Sequence, residues 1–137
     1  MKPKDVVADL EYCKLIKHHF PKGTVFWWAE SSIKGGISPE VVLQKDVIGS
    51  NYDYSQPFTN YFPAPTTEEI LRVLPESLSL YELSIRQMGG KFSVSYFNGK
   101  ATVGYFLTKQ HNSDVQKDYN LANALAKMLI WVDKESP

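Results

Sequence analysis

Apolar residues recur along this chain with two periods, and the switches between them mark out its elements. In KDVVADLEYCKLIKHHF, Val6, Leu10, Cys13 and Phe20 fall on one side at spacings of three, four and seven. That spacing predicts a first helix over 4–19, stopped by Pro21 and Gly23. Lys17 shares this side and can bury its stem while its ammonium reaches water. TVFWWAES (24–31) is β-branched and aromatic and reads as a strand. SIKGGIS supplies a turn, and PEVVLQKDV (39–47) reads as a second, antiparallel strand. Pro39 fits only at its start or on an edge.

The helix signal returns at PAPTTEEILRVLP. Thr66 and Glu69 stand at capping-box spacing, Glu68 and Glu69 suit the positive end of the helix dipole, and Pro75 closes the run. Ile70, Val73 and Leu74 form its stripe. Three strands follow. LYELSIRQM (80–88) sets Tyr81, Leu83 and Ile85 against Glu82, Ser84 and Arg86. KFSVSYFN (91–98) sets Phe92, Val94 and Tyr96 against Ser93, Ser95 and Phe97. KATVGYFLT (100–108) places Ala101, Val103, Tyr105 and Leu107 on one side. Gly89-Gly90 and Asn98-Gly99 make the turns, the latter predicting a type I′ hairpin. In the last helix Asn120 caps, and Leu121, Leu125, Met128, Leu129 and Val132 form the stripe. Ile130 is expected on the opposite side, with Asn123, Lys127 and Lys134, where it could mark a subunit contact.

The order is therefore α-β-β-α-β-β-β-α. It predicts one α+β domain over 1–137, a mainly antiparallel sheet of about five strands with three helices largely on one face. The 137 residues suffice for a hydrophobic core. Fifteen basic and fifteen acidic residues cancel, which weighs against a broad electrostatic grip on nucleic acid. The lone cysteine, Cys13, excludes an internal disulfide. No secretory leader and no bilayer-length apolar run is evident, so the expected setting is cytoplasmic, away from membranes.

Candidate chemistry is sparse. His18 and His19 are neighbours, which on an α-helix project about 100° apart, and His111 is isolated, so no metal site is expected. IKGGIS and MGGK lack the nucleotide-cradle patterns and read as hairpin turns. Cys13 lies on a buried stripe, where thiols serve as packing, and no catalytic motif or cofactor signature is present. The expectation is therefore a protein that is not an enzyme and carries no cofactor. Phe97 and Phe106 fall on the less apolar face of the meander, with Arg86 near in strand order. That set can stack bases, or the rings can pack under a helix or loop.

SNYDYSQPFTNYFPAP (50–65) shows neither period. Tyr52, Tyr54, Phe58, Tyr61 and Phe62 stand among Asn, Ser and Gln, with Asp53 the one charge. Such loops suit partner recognition. Equally, Phe58, Tyr61 and Phe62 can pack onto the sheet and leave Tyr52 and Tyr54 exposed. Tyr52, Tyr54, Phe58, Tyr61 and Arg86 are the candidate binding residues.

FPAPTTEEILRVLP, LYELSIRQM, KFSVSYFNGK and NALAKMLIWV together resemble short uncharacterised proteins encoded by phages and prophages of gut bacteria. The likeness spans about residues 62–132 and rests on a PAPT-type helix start, a β-meander and an ALAKMLIW-type final helix. The resemblance implies a phage or prophage accessory protein in the host cytoplasm. It would be non-enzymatic, binding a host protein or sequestering a small ligand such as a nucleotide-type defence signal. A structural subunit acting by self-association is the alternative; a small enzyme built from distant polar groups ranks behind it.

Overall fold

The computed structural model describes residues 5–31, 38–43, 60–88, 91–108 and 120–135. Helix α1 covers Leu10–Ile16 and runs into a 3-10 turn, Lys17–His19. Strands β1 (Phe26–Glu30), β2 (Glu40–Leu43) and β3 (Asn60–Ala64) precede helix α2 (Thr67–Val73). Strands β4 (Ser77–Leu78), β5 (Tyr81–Met88), β6 (Lys91–Phe97) and β7 (Thr102–Leu107) lead to helix α3 (Leu121–Glu135). The class is α+β and every strand pairing is antiparallel, as expected. The strands divide into two sheets, ordered β2-β1-β3 and β4-β5-β6-β7, where one sheet of about five was expected.

The additional strands explain the difference. β3 lies inside the segment that showed no period, pairing Trp28 with Phe62 and Ala29 with Tyr61. Its alternation is hidden because Pro63 and Ala64 are both buried. Pro63 is tolerated because β3 is an edge of its sheet. β4 is two residues long, too short for a period to register.

The first helix is shorter than its apolar spacing predicts. Val7 forms a bridge to Thr66, and the Ala8 N–H donates to the Pro65 carbonyl at 3.1 Å. Asp9 is extended, with φ −63° and ψ 151°. Pairing with Pro65 and Thr66, just beyond β3, therefore outcompetes helix for these residues, which include β-branched Val6 and Val7. The segment is stitched further: the Asp9 N–H donates to Asn123 Oδ1 at 2.7 Å, and Asn120 Nδ2 donates to the Val7 carbonyl.

Both predicted caps form. Thr66 Oγ1 accepts from the Glu69 N–H at 3.4 Å, and Glu69 Oε1 accepts from the Thr66 N–H at 3.0 Å. Asn120 Oδ1 accepts from the Ala122 N–H at 2.9 Å. The core gathers Cys13, Ile16, Trp28, Ile70, Val94, Tyr96, Leu125, Met128 and Leu129 between the helices and one face of each sheet. Helix α3 is buried more fully than a single stripe requires. Asn123 is buried, and Ile130 packs half-buried against the core. The expected exposed face carrying Ile130 is therefore not free.

Cys13 is fully buried, and its Sγ donates to the Ala8 carbonyl at 3.2 Å. Burial, with a smaller push from the Asp9 carboxylate, raises the thiol from 9.0 to about 12, although a hydrogen bond with Trp28 acts the other way. The thiol is packing, as expected from its stripe.

Candidate functional site

The outer face of the β5-β6-β7 sheet is built from three short side chains and four taller ones. Registration sets Ser84 opposite Ser95 and Arg86 opposite Ser93. The serines form a low floor. Arg86, Phe97, Thr102 and Tyr105 stand around it, enclosing a depression of about 120 Å³. That is less than the roughly 300 Å³ at which pockets begin to enclose a drug-sized ligand, so a ligand here lies across the face.

Arg86 and Phe97 meet although they are not cross-strand partners. Phe97 pairs with Glu82, four residues and about 13 Å along the strand from Arg86. The Arg86 side chain reaches back over the serine floor and sets its guanidinium 5.6 Å from the centre of the Phe97 ring. Larger residues at positions 84 or 95 would obstruct that path. The cation–π contact orients the guanidinium without neutralising it. Among the described residues, none of the ion pairs includes Arg86. Glu82, the cross-strand partner of Phe97, stands at the end of the face to which the guanidinium reaches.

Strand β7 departs from the expected alternation, and this shapes the site. Val94 pairs with Phe106, whereas Tyr96 pairs with Val103, so Ser95 opposes two residues, Gly104 and Tyr105. Gly104 occupies the left-handed region at φ +56°, the geometry of a bulge that starts on glycine. A Cβ at Gly104 would lie 2.7 Å from the Trp131 ring. The extra residue reverses the facing of the strand beyond it. Val103 and Phe106 pack against the core, while Tyr105 and Leu107 are exposed. Phe106 is therefore not on the outer face with Phe97, and Tyr105 takes the place expected for it. The turn before β7 is corrected as well. Phe97 pairs with Thr102, so Gly99 and Lys100 are the central residues. Gly99 has φ +90° and Lys100 is not left-handed, so the two left-handed central residues of a type I′ turn are not formed. Asn98 Oδ1 accepts from the Lys100 and Ala101 N–H groups at 2.9 and 2.7 Å.

Of the five candidate binding residues, Arg86 lies in this depression. Tyr61 is a half-buried member of β3, in the other sheet, and is not brought to Arg86. Tyr52, Tyr54 and Phe58 fall outside the described residues. Phe62, expected to pack onto the sheet, is part of it, and the Lys14 and Lys17 ammonium groups lie 5.4 and 5.6 Å from its ring centre. Ser84, Ser93, Ser95, Thr102 and Tyr105 were not singled out from the sequence. The run of serines on one face of two adjacent strands was the available signal for the floor; Tyr105 had none, because the bulge decides its side.

No family model, curated protein or solved structure matches this chain. No helix among the described residues is long and apolar enough to cross a membrane.

Proposed function

We propose that this protein is a non-enzymatic binding protein that takes a small anionic ligand of the nucleotide class on the outer face of its four-stranded sheet. The observation that carries the reading is the Arg86 guanidinium held over Phe97 above a floor of serines. A guanidinium offers paired donors to a phosphate, the serine and threonine hydroxyls add neutral hydrogen bonds, and Tyr105 supplies an exposed ring for stacking. The guanidinium, the hydroxyls and the ring are groups suited to holding a ligand. In this reading the chain is a phage or prophage accessory protein that sequesters a signalling nucleotide in the host cytoplasm.

Titration calorimetry with AMP and with inorganic phosphate tests it. Wild-type protein binds AMP more tightly than phosphate, because the ring contributes. Arg86→Ala weakens AMP at least tenfold, and Arg86→Lys falls between, since an ammonium lacks the planar fork. Equal AMP affinity in wild type and Arg86→Ala contradicts the reading, as does no binding of either probe. Self-association is the second reading, favoured by β7 standing at the edge of its sheet among the described strands. Sedimentation of a monomer at tens of micromolar removes it.

A further inference from the structure

The end of the 3-10 turn and the last turns of α3 meet at a cluster on the helical side of the four-stranded sheet, away from the depression. His19 Nε2 lies 2.9 Å from both Asp133 Oδ1 and Asp133 Oδ2. His18 Nε2 lies 3.2 Å from Asp133 Oδ2. The ligand atoms of all three residues fall within 4.8 Å of one another. The expectation that adjacent histidines diverge fails here for two reasons. They sit on a tight 3-10 turn, with ring centres 4.2 Å apart and planes inclined at 40°. The Asp133 carboxylate also stands where both Nε2 atoms can reach it.

We propose that His18, His19 and Asp133 form a site for a divalent cation of the zinc class, joining the end of the first helical segment to the end of the last helix. Two imidazole nitrogens and one carboxylate oxygen are a donor set that borderline cations such as Zn²⁺ take. With bonds of about 2.0–2.2 Å, neighbouring ligands of a tetrahedral ion stand about 3.4 Å apart. The Asp133 separations of 2.9 and 3.2 Å are close to that, and small side-chain rotations open room for the ion. His18 is largely exposed, while His19 and Asp133 are partly covered, so the ion can enter from solvent. Three protein ligands leave a tetrahedral ion one position for water.

Entry of the ion displaces protons, because an Nε2 that donates to Asp133 must present its lone pair to the metal. That proton moves to solvent, or to Nδ1 by tautomer exchange. The nearest cationic neighbour in sequence, Lys17, directs its ammonium over the Phe62 ring.

The test is calorimetric titration of the metal-free protein with zinc sulfate, repeated with Co²⁺ followed by its visible absorption. One equivalent binds to wild type. His18→Ala, His19→Ala and Asp133→Asn each weaken Zn²⁺ tenfold or more, and His111→Ala leaves it unchanged. Because His19→Ala could disturb the packing of the turn, the ¹⁵N shifts of the imidazoles are recorded on wild-type protein. Zinc should move the Nε2 signals of His18 and His19 and leave those of His111 in place. Zinc affinity unaltered by all three site substitutions overturns the proposal. So does an equal loss in His111→Ala, or absence of the two Nε2 shifts.

Discussion

The two faces of the β5-β6-β7 sheet use the same backbone to opposite ends. On the inner face, Leu83, Val94, Tyr96, Val103 and Phe106 pack under α3, and Val94 and Tyr96 are fully buried. On the outer face the corresponding rows hold Ser84, Arg86, Ser93, Ser95 and Phe97. The inner face is shaped by the volumes that fill it. The outer face is shaped by what its floor omits: short side chains on the central strands allow a long cation to lie across them. Gly104 serves both faces, since its bulge turns Phe106 inward and Tyr105 outward.

The contrast predicts that inner-face changes cost stability while outer-face changes cost binding. The largest effect is expected at Gly104. Gly104→Val must adopt a positive φ and displace the Trp131 ring, at a cost of about 3 kcal/mol or more. Urea denaturation measures it; a loss under about 1 kcal/mol would mean that the bulge relaxes without penalty. Tyr96→Phe comes next. It removes the hydroxyl that donates to the Pro75 carbonyl at 2.8 Å, costing about 1–2 kcal/mol.

The interior also sets a pH dependence. Tyr96 is raised from 10.0 to about 12 by burial, and Cys13 from 9.0 to about 12. Both are neutral when folded and ionise more readily when unfolded. Their contribution is complete below pH 9 and is lost progressively as pH rises towards 12. The urea midpoint should therefore fall between pH 9 and 11, and fall less in Cys13→Ala. The smallest stability effects belong to the outer face. Arg86→Ala, at an exposed position, should lie within about 0.5 kcal/mol of wild type while altering ligand affinity.

The sequence discloses the two faces unequally. The inner face was legible where strict alternation holds, through Leu83, Val94 and Tyr96. The α2 capping box was legible because Thr66 and Glu69 act within one turn. β3 was not, because its strand character comes from pairing with Trp28 and Ala29 rather than from its own pattern. The N-terminal segment was misread for the same reason: Val7 answers to Thr66, 59 positions away. Arg86 was singled out from its place beside the aromatic rows, yet Tyr105 was assigned to the wrong face. One inserted residue at Gly104 shifts the phase of everything after it. α-Helical geometry separates His18 and His19; the 3-10 turn and Asp133, more than a hundred positions away, bring them together.

The central claim is that the serine-floored face binds the ligand, and the most direct test is a two-dimensional ¹H–¹⁵N spectrum recorded during titration with AMP. Shift changes should concentrate at Arg86, Ser93, Ser95 and Phe97 and be abolished in Arg86→Ala. Changes centred on α1 and α3, or no saturable change at millimolar AMP, would contradict it.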